Sequence, residues 1–221
     1  MTTILLVRHG ESEANLTNVF AGSRLNAQLN EKGKAQARIC AEYATKNYKI
    51  DRVYSSPLDR AYNTAQACAD LIGVEVVKCY GLREIDGGDW EGMTLREIKD
   101  KYAQEYDDWY VGLRHSGCVG GEGVWEMAER FLETLNAIAE ENDGLTLFVA
   151  THYTPVRTMQ SYAGTGSFEH IKVYEHVPNA SITELFYDEG KWSLGKYSIN
   201  SYLGDLSRDP LAGDVLAAKS K

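Results

Sequence analysis

The sequence predicts an α/β fold: three α/β/α layers around a mostly parallel central sheet, with an antiparallel hairpin at its C-terminal edge. Three observations carry this expectation. Short apolar runs alternate with helix-patterned segments through most of the chain. The first run, residues 3–7, is continuous and aliphatic, as strands buried on both faces are. The last two candidate strands instead alternate in polarity and flank a turn at 188–190, the pattern of a hairpin.

The elements follow in order. After the strand at 3–7 comes a Gly-containing loop, then a helix over about 30–46 with Asn30 as N-cap and Ala35, Ile39, Cys40 and Tyr43 at helical spacing. "DRVYSS" is a second strand. In "SPLDRAYNTAQACADLIG", Ser56 is placed to cap a helix and Pro57 to open it; Ala61, Ala65, Cys68 and Ile72 line one face, and Gly73 ends it. "VEVVKC" is a third strand. "TLREIKDKY" opens with Thr94 and Glu97 at capping-box spacing, and an aromatic segment follows with Tyr102, Tyr106, Trp109 and Tyr110. A long helix over about 124–142 presents Val124, Met127, Phe131, Leu135 and Ile138 on one face. "LTLFVA" is a fourth buried strand, and Pro155 suits the first turn of the helix after it.

The 221 residues suit a single domain over 1–205, with a lid or cap at about 85–122 and a tail at 206–221. A net charge of −9 without any Lys/Arg stripe argues against a nucleic-acid partner, so an anion site here has to be local. The four cysteines are scattered without a C-x-x-C pair, which suggests neither a zinc site nor a disulfide framework, and Cys40 and Cys68 read as reduced structural thiols. The apolar start is too short for a signal segment or a membrane span, which points to the cytoplasm. Oligomeric state leaves no trace in the sequence.

In open α/β sheets, ligands bind beyond the carboxyl ends of the parallel strands. His9 lies just past the first strand and His152 just past the fourth. Arg60 stands in the first turn of the helix after the second strand, and Glu84 follows the third. Parallel strands therefore place all four on one edge, beside Arg8. Guanidinium forks and helix-start N–H groups match phosphate oxygens. A His whose other ring nitrogen is held by a backbone carbonyl can attack phosphorus, and Glu84 can protonate the leaving oxygen and later accept a proton from water.

The motifs "LLVRHGESEAN", "LNEKGKAQA", "YSSPLDRAYNTA", "LREIDGGDWEG" and "VATHYTPVR" resemble, in order, the blocks of the histidine phosphatase superfamily in its phosphoglycerate mutase-like branch; "NASITELF" is similar too. The resemblance implies that His9 is the phosphorylated nucleophile, that Arg8, Arg60 and His152 grip the phosphoryl oxygens, that Asn15 belongs to the phosphate pocket, and that Glu84 is the proton donor. It implies chemistry without a metal or other cofactor. Departures include Tyr153 where Gly commonly follows the second His, Gly123 where Ser is frequent, and Asn26 where Asp is common.

Mutases of this family carry an Arg-Arg pair in a longer middle insertion. The matching stretch here has only Arg114, and Ala21 precedes Gly22 where mutases often have Thr. The expectation is thus a phosphatase acting on a small phosphorylated metabolite. A cofactor-dependent phosphoglycerate mutase and a non-catalytic phospholigand-binding protein are the alternatives. A sugar phosphate, a nucleotide loop intermediate and a phosphoglycerate all stay open as substrates. The aromatic segment at about 100–118 is either a lid over the site or a cap packing its rings inward.

Overall fold

A computed structural model describes residues 1–111, 117–173 and 176–207. Six strands form one sheet in the order β3-β2-β4-β1-β5-β6: β1 Thr2–Arg8, β2 Arg52–Ser55, β3 Val76–Lys78, β4 Thr146–Thr151, β5 Ile182–Asp188 and β6 Lys191–Leu194. The first four run parallel, while β5 pairs antiparallel with β1, and β6 antiparallel with β5. The hairpin turn at 189–190 takes Glu189 and Gly190 to positive φ, which glycine adopts without a Cβ clash.

Alternation along β1 divides the core. Ile4 and Leu6 join the cluster under α6 Val124–Glu140 and α7 Tyr153–Thr165, whereas Leu5 and Val7 face α2 Glu31–Asn47 and α3 Asp59–Ile72. Burying this strand on both faces is why its sequence is an unbroken aliphatic run. On α6, all five expected core residues are buried.

Local chemistry sets most helix ends, beginning with Ser12 at the start of the short α1 Glu13–Leu16. Asn30 caps α2 through the Gly33 N–H, Thr94 and Glu97 form a reciprocal capping box on α4 Leu95–Lys101, and Gly73 closes α3 in the left-handed region. Three expectations need correction. The α2 core face is Gly33, Gln36, Ala37, Cys40, Ala41 and Ala44, so Ile39 and Tyr43 sit at its margin and Ala35 is only partly covered. Nor does Ser56 cap α3 from its N-cap position, which Leu58 occupies; Pro57 lies in the turn ahead of the helix. The third strand is also shorter than its motif suggested, reduced to three residues at the sheet edge.

Cys40 and Cys68 are buried free thiols, and burial pushes both up to about 12. Among the described residues, no helix is long and apolar enough to cross a membrane.

Candidate active site

Strand register assembles the site. Arg8 pairs with Thr151 across β1 and β4, and Ser55 pairs with Ala150 across β2 and β4. His9, His152 and Ser56 therefore leave the sheet side by side, and the His9 and His152 rings meet edge-on with centroids 5.2 Å apart. Two glycines let the first block approach α2. A Cβ on Gly10 would collide with the Gly33 carbonyl, and one on Gly33 with the Glu11 carbonyl. The spacing of "RHG" and "EKG" thus encodes a backbone contact.

The site faces a cavity of about 380 Å³ lined at its inner end by Arg8, His9, Asn15, Arg60 and Glu84. His152 lies behind, fully buried. The Gly10 carbonyl accepts a hydrogen bond from His9 Nδ1 at 2.7 Å. A carbonyl can only accept, so the proton sits on Nδ1 and the Nε2 lone pair is free. Burial, with help from Arg60 and Arg8, lowers His9 well below the ordinary 6.5. His152 is lowered likewise, first by burial and then by Arg60. Both rings are consequently neutral at neutral pH. His152 Nε2 is 2.8 Å from the Ser56 hydroxyl. If that hydroxyl donates, His152 Nδ1 carries a proton, and this nitrogen has no partner among the described residues.

Arg8 donates from Nη1 to the Val177 carbonyl at 2.6 Å, and its guanidinium lies 5.1 Å from the Tyr153 ring centroid. Tyr153 therefore does more than replace a glycine: its ring backs Arg8 and lines the cavity. Buried Arg60 gives one Nη1 hydrogen to the Leu25 carbonyl and both Nη2 hydrogens to the carbonyls of Ala21 and Gly22. Its Nε–H and second Nη1–H remain for another acceptor. Burial brings Arg60 down to about 10, which leaves it cationic at neutral pH. Glu84 Oε1 accepts from Ile85 N–H at 2.9 Å and Oε2 from Thr154 N–H at 3.2 Å. Burial raises its carboxyl despite these bonds and nearby Arg60. Asn15 Oδ1 accepts from Ser12 and from Asn179.

Several participants escaped the sequence reading. Asn179 Nδ2 donates 3.0 Å to the His9 carbonyl as well as reaching Asn15. Thr64 Oγ1 receives the Gly10 N–H at 3.0 Å. Glu91 collects four backbone N–H groups at 3.0–3.1 Å, from Gly22, Arg24, Leu25 and Gly87. Asn179 and Glu91 do lie inside quoted motifs, which was the available signal. Arg114 falls outside the described residues, as does the tail from 208. Two short helices, α4 and α5 Ala103–Val111, contribute Leu95, Tyr106 and Trp109 to the lining of the cavity.

A sequence model of the histidine phosphatase superfamily (branch 1) matches residues 4–200. The chain belongs to that superfamily. Its relatives include phosphoserine phosphatase 1 of Hydrogenobacter thermophilus, 31% identical over 93% of this chain and 96% of that protein. A metal-independent phosphoserine phosphatase of Arabidopsis thaliana is 30% identical over 93% of this chain and 85% of its own length. Among solved structures, phosphoserine phosphatase from Entamoeba histolytica in complex with phosphoserine superposes with a TM-score of 0.80 at 26% identity, covering 92% of this chain and all of that one. YhfR of Bacillus stearothermophilus shares the fold with a TM-score of 0.85 at 24% identity, covering 92% of this chain and 100% of that chain. This superfamily member shares the mixed α/β sheet of its structural neighbours.

Proposed function

We propose that the protein hydrolyses a small phosphomonoester in two displacements through a phosphohistidine at His9. The observation that carries this is the His9–Gly10 hydrogen bond, which holds Nδ1 protonated and leaves the Nε2 lone pair at the inner end of the cavity. In the first step Nε2 forms a bond to phosphorus while the ester P–O bond breaks. Glu84, whose carboxyl burial raises, gives its proton to the departing oxygen. In the second step water attacks phosphorus, Glu84 takes a proton from it, the P–N bond breaks and inorganic phosphate leaves. Arg8, the two unused Arg60 hydrogens, Asn15 Nδ2 and His152 Nδ1 stabilise the phosphoryl oxygens, whose charge grows toward the transition state.

The domain is read as one unit over 1–205, with α4 and α5 as a cap over the cavity and a cytoplasmic setting. A phosphatase is favoured over a mutase because the middle segment offers no Arg-Arg pair for the acidic end of a phosphoglycerate. The test is a paired assay of phosphate release from alkyl phosphates and interconversion of 2- and 3-phosphoglycerate. Release without interconversion, abolished in His9→Ala, is the expected result. Dominant interconversion, or undiminished release in the variant, would overturn the proposal.

A further inference from the structure

The cavity changes character along its length. Buried Arg8 and Arg60 make its inner end cationic, whereas the half-buried Val19, Phe20, Leu95, Tyr106 and Trp109 wall its outer half. The only described ammonium and carboxylate along that outer half belong to Lys99 and Asp107. Both residues are exposed and opposite in sign, so water screens them and they discriminate weakly among ligands. A substrate body entering this space meets chiefly rings and aliphatic carbons, with the Asn18 amide and the His176 imidazole as further polar lining.

Phe20 is the wall held most firmly. Its N–H donates to the Met93 carbonyl at 2.8 Å, and its carbonyl accepts from Gly92 N–H at 3.0 Å. Its ring sits edge-on to Trp90 and Trp109, with centroids 5.8 and 5.7 Å away. Gly87 makes room for it: a Cβ there would come within 2.7 Å of Phe20 Cε1. Phe20 thereby bridges the loop that carries Glu84 and a helix that lines the cavity. A wall fixed before binding presents apolar area without first having to be ordered.

We propose that this outer half selects phosphomonoesters whose alcohol bears an apolar or aromatic body, with Phe20 as the residue that sets the preference. The inference rests on the phosphatase reading above and narrows its substrate class. Phosphoserine, the ligand of one relative, presents an ammonium and a carboxylate to an outer half that holds no buried counter-charge for them among the described residues.

The test compares kcat/KM of the full chain for phenethyl phosphate, methyl phosphate, phosphoserine and 3-phosphoglycerate, none of which has an activated leaving group. Phenethyl phosphate is expected to exceed each of the two charged metabolites by about tenfold or more. Phe20→Ala should lower the phenethyl-to-methyl ratio by about tenfold, and Phe20→Leu, which keeps an apolar side chain in the fold, by less. Gly87→Ala, which presses on the ring, should shift the ratio in the same direction. Preference for phosphoserine or 3-phosphoglycerate, or a ratio unmoved by all three substitutions, overturns the inference and leaves the phosphatase reading standing. Release from none of the four esters removes both.

Discussion

One backbone carbonyl decides which nitrogen of His9 can react, and one pair of N–H groups holds the Glu84 carboxyl that the proposed mechanism uses as acid. These details sit below what a sequence displays, although the residues themselves were legible. Arg8, His9 and His152 each end or follow a strand, and Arg60 opens a helix, so chain direction alone brought them together. The role of Asn179 was not legible, although the residue lies in a quoted motif, because its contact with the His9 carbonyl depends on the chain returning to the first strand 170 positions later. Ser56 was misread for a related reason. Ser-Pro ahead of a helix is a common capping pattern, but here the hydroxyl is used by His152. Glu84 yields a prediction at this scale. Its raised carboxyl remains protonated above the ordinary 4.5, so kcat for an alkyl phosphate should fall as pH rises through its shifted value. Glu84→Gln should abolish that alkaline limb and reduce alkyl phosphate turnover by about 100-fold or more, with far less loss on an aryl phosphate whose oxygen leaves unprotonated. Equal losses on both esters in a pH-rate comparison would contradict the acid role.

Loops do at the scale of elements what strands do at the scale of the sheet. The segment Ala21, Gly22 and Leu25 is gripped twice: Arg60 takes its three carbonyls, and Glu91 takes N–H groups from Gly22, Arg24 and Leu25. Glu91 also receives Gly87 N–H, which ties this segment to the loop that carries Glu84. The helices were easier to anticipate than these loops. Asn30, Thr94 and Gly73 write their ends into the sequence through specific hydrogen bonds or left-handed backbone, whereas four N–H groups converging on one carboxylate follow no local spacing rule. The inward face of α2 was also displaced from its expected position, because Gly33, Ala37, Ala41 and Ala44 allow close packing that large apolar residues at 39 and 43 do not signal. Glu91 is expected to act as a positioning residue. Glu91→Gln leaves an amide where two N–H donors point, which should destabilise the fold by about 1–3 kcal/mol and raise KM more than it lowers kcat. Denaturant midpoints and Michaelis kinetics with methyl phosphate check this; an unchanged midpoint with unchanged KM would contradict it.

Across the whole molecule, the parallel strands put catalytic candidates on one edge, and the antiparallel hairpin completes the other flank of β1. The alternation of strands and helices was readable, as was the change to polar-apolar alternation in the hairpin. The order β3-β2-β4-β1-β5-β6 was not, since it is set by which faces pack together after collapse. That order places β1 and β4 in contact and makes His9 and His152 neighbours. It also lets a protein of net charge −9 keep a cationic pocket, because Arg8 and Arg60 are buried at one point with Glu84 as the carboxyl beside them. The central claim is that phosphoryl transfer passes through His9. The most direct measurement is to mix the protein with a radiolabelled phosphomonoester, quench in alkali, where a phosphorus–nitrogen bond survives, and map the label by peptide mass spectrometry. The account predicts label on the peptide containing His9, absent in His9→Ala and more persistent in Glu84→Gln. Rapid phosphate release with no label on that peptide, or label on another residue, would contradict it.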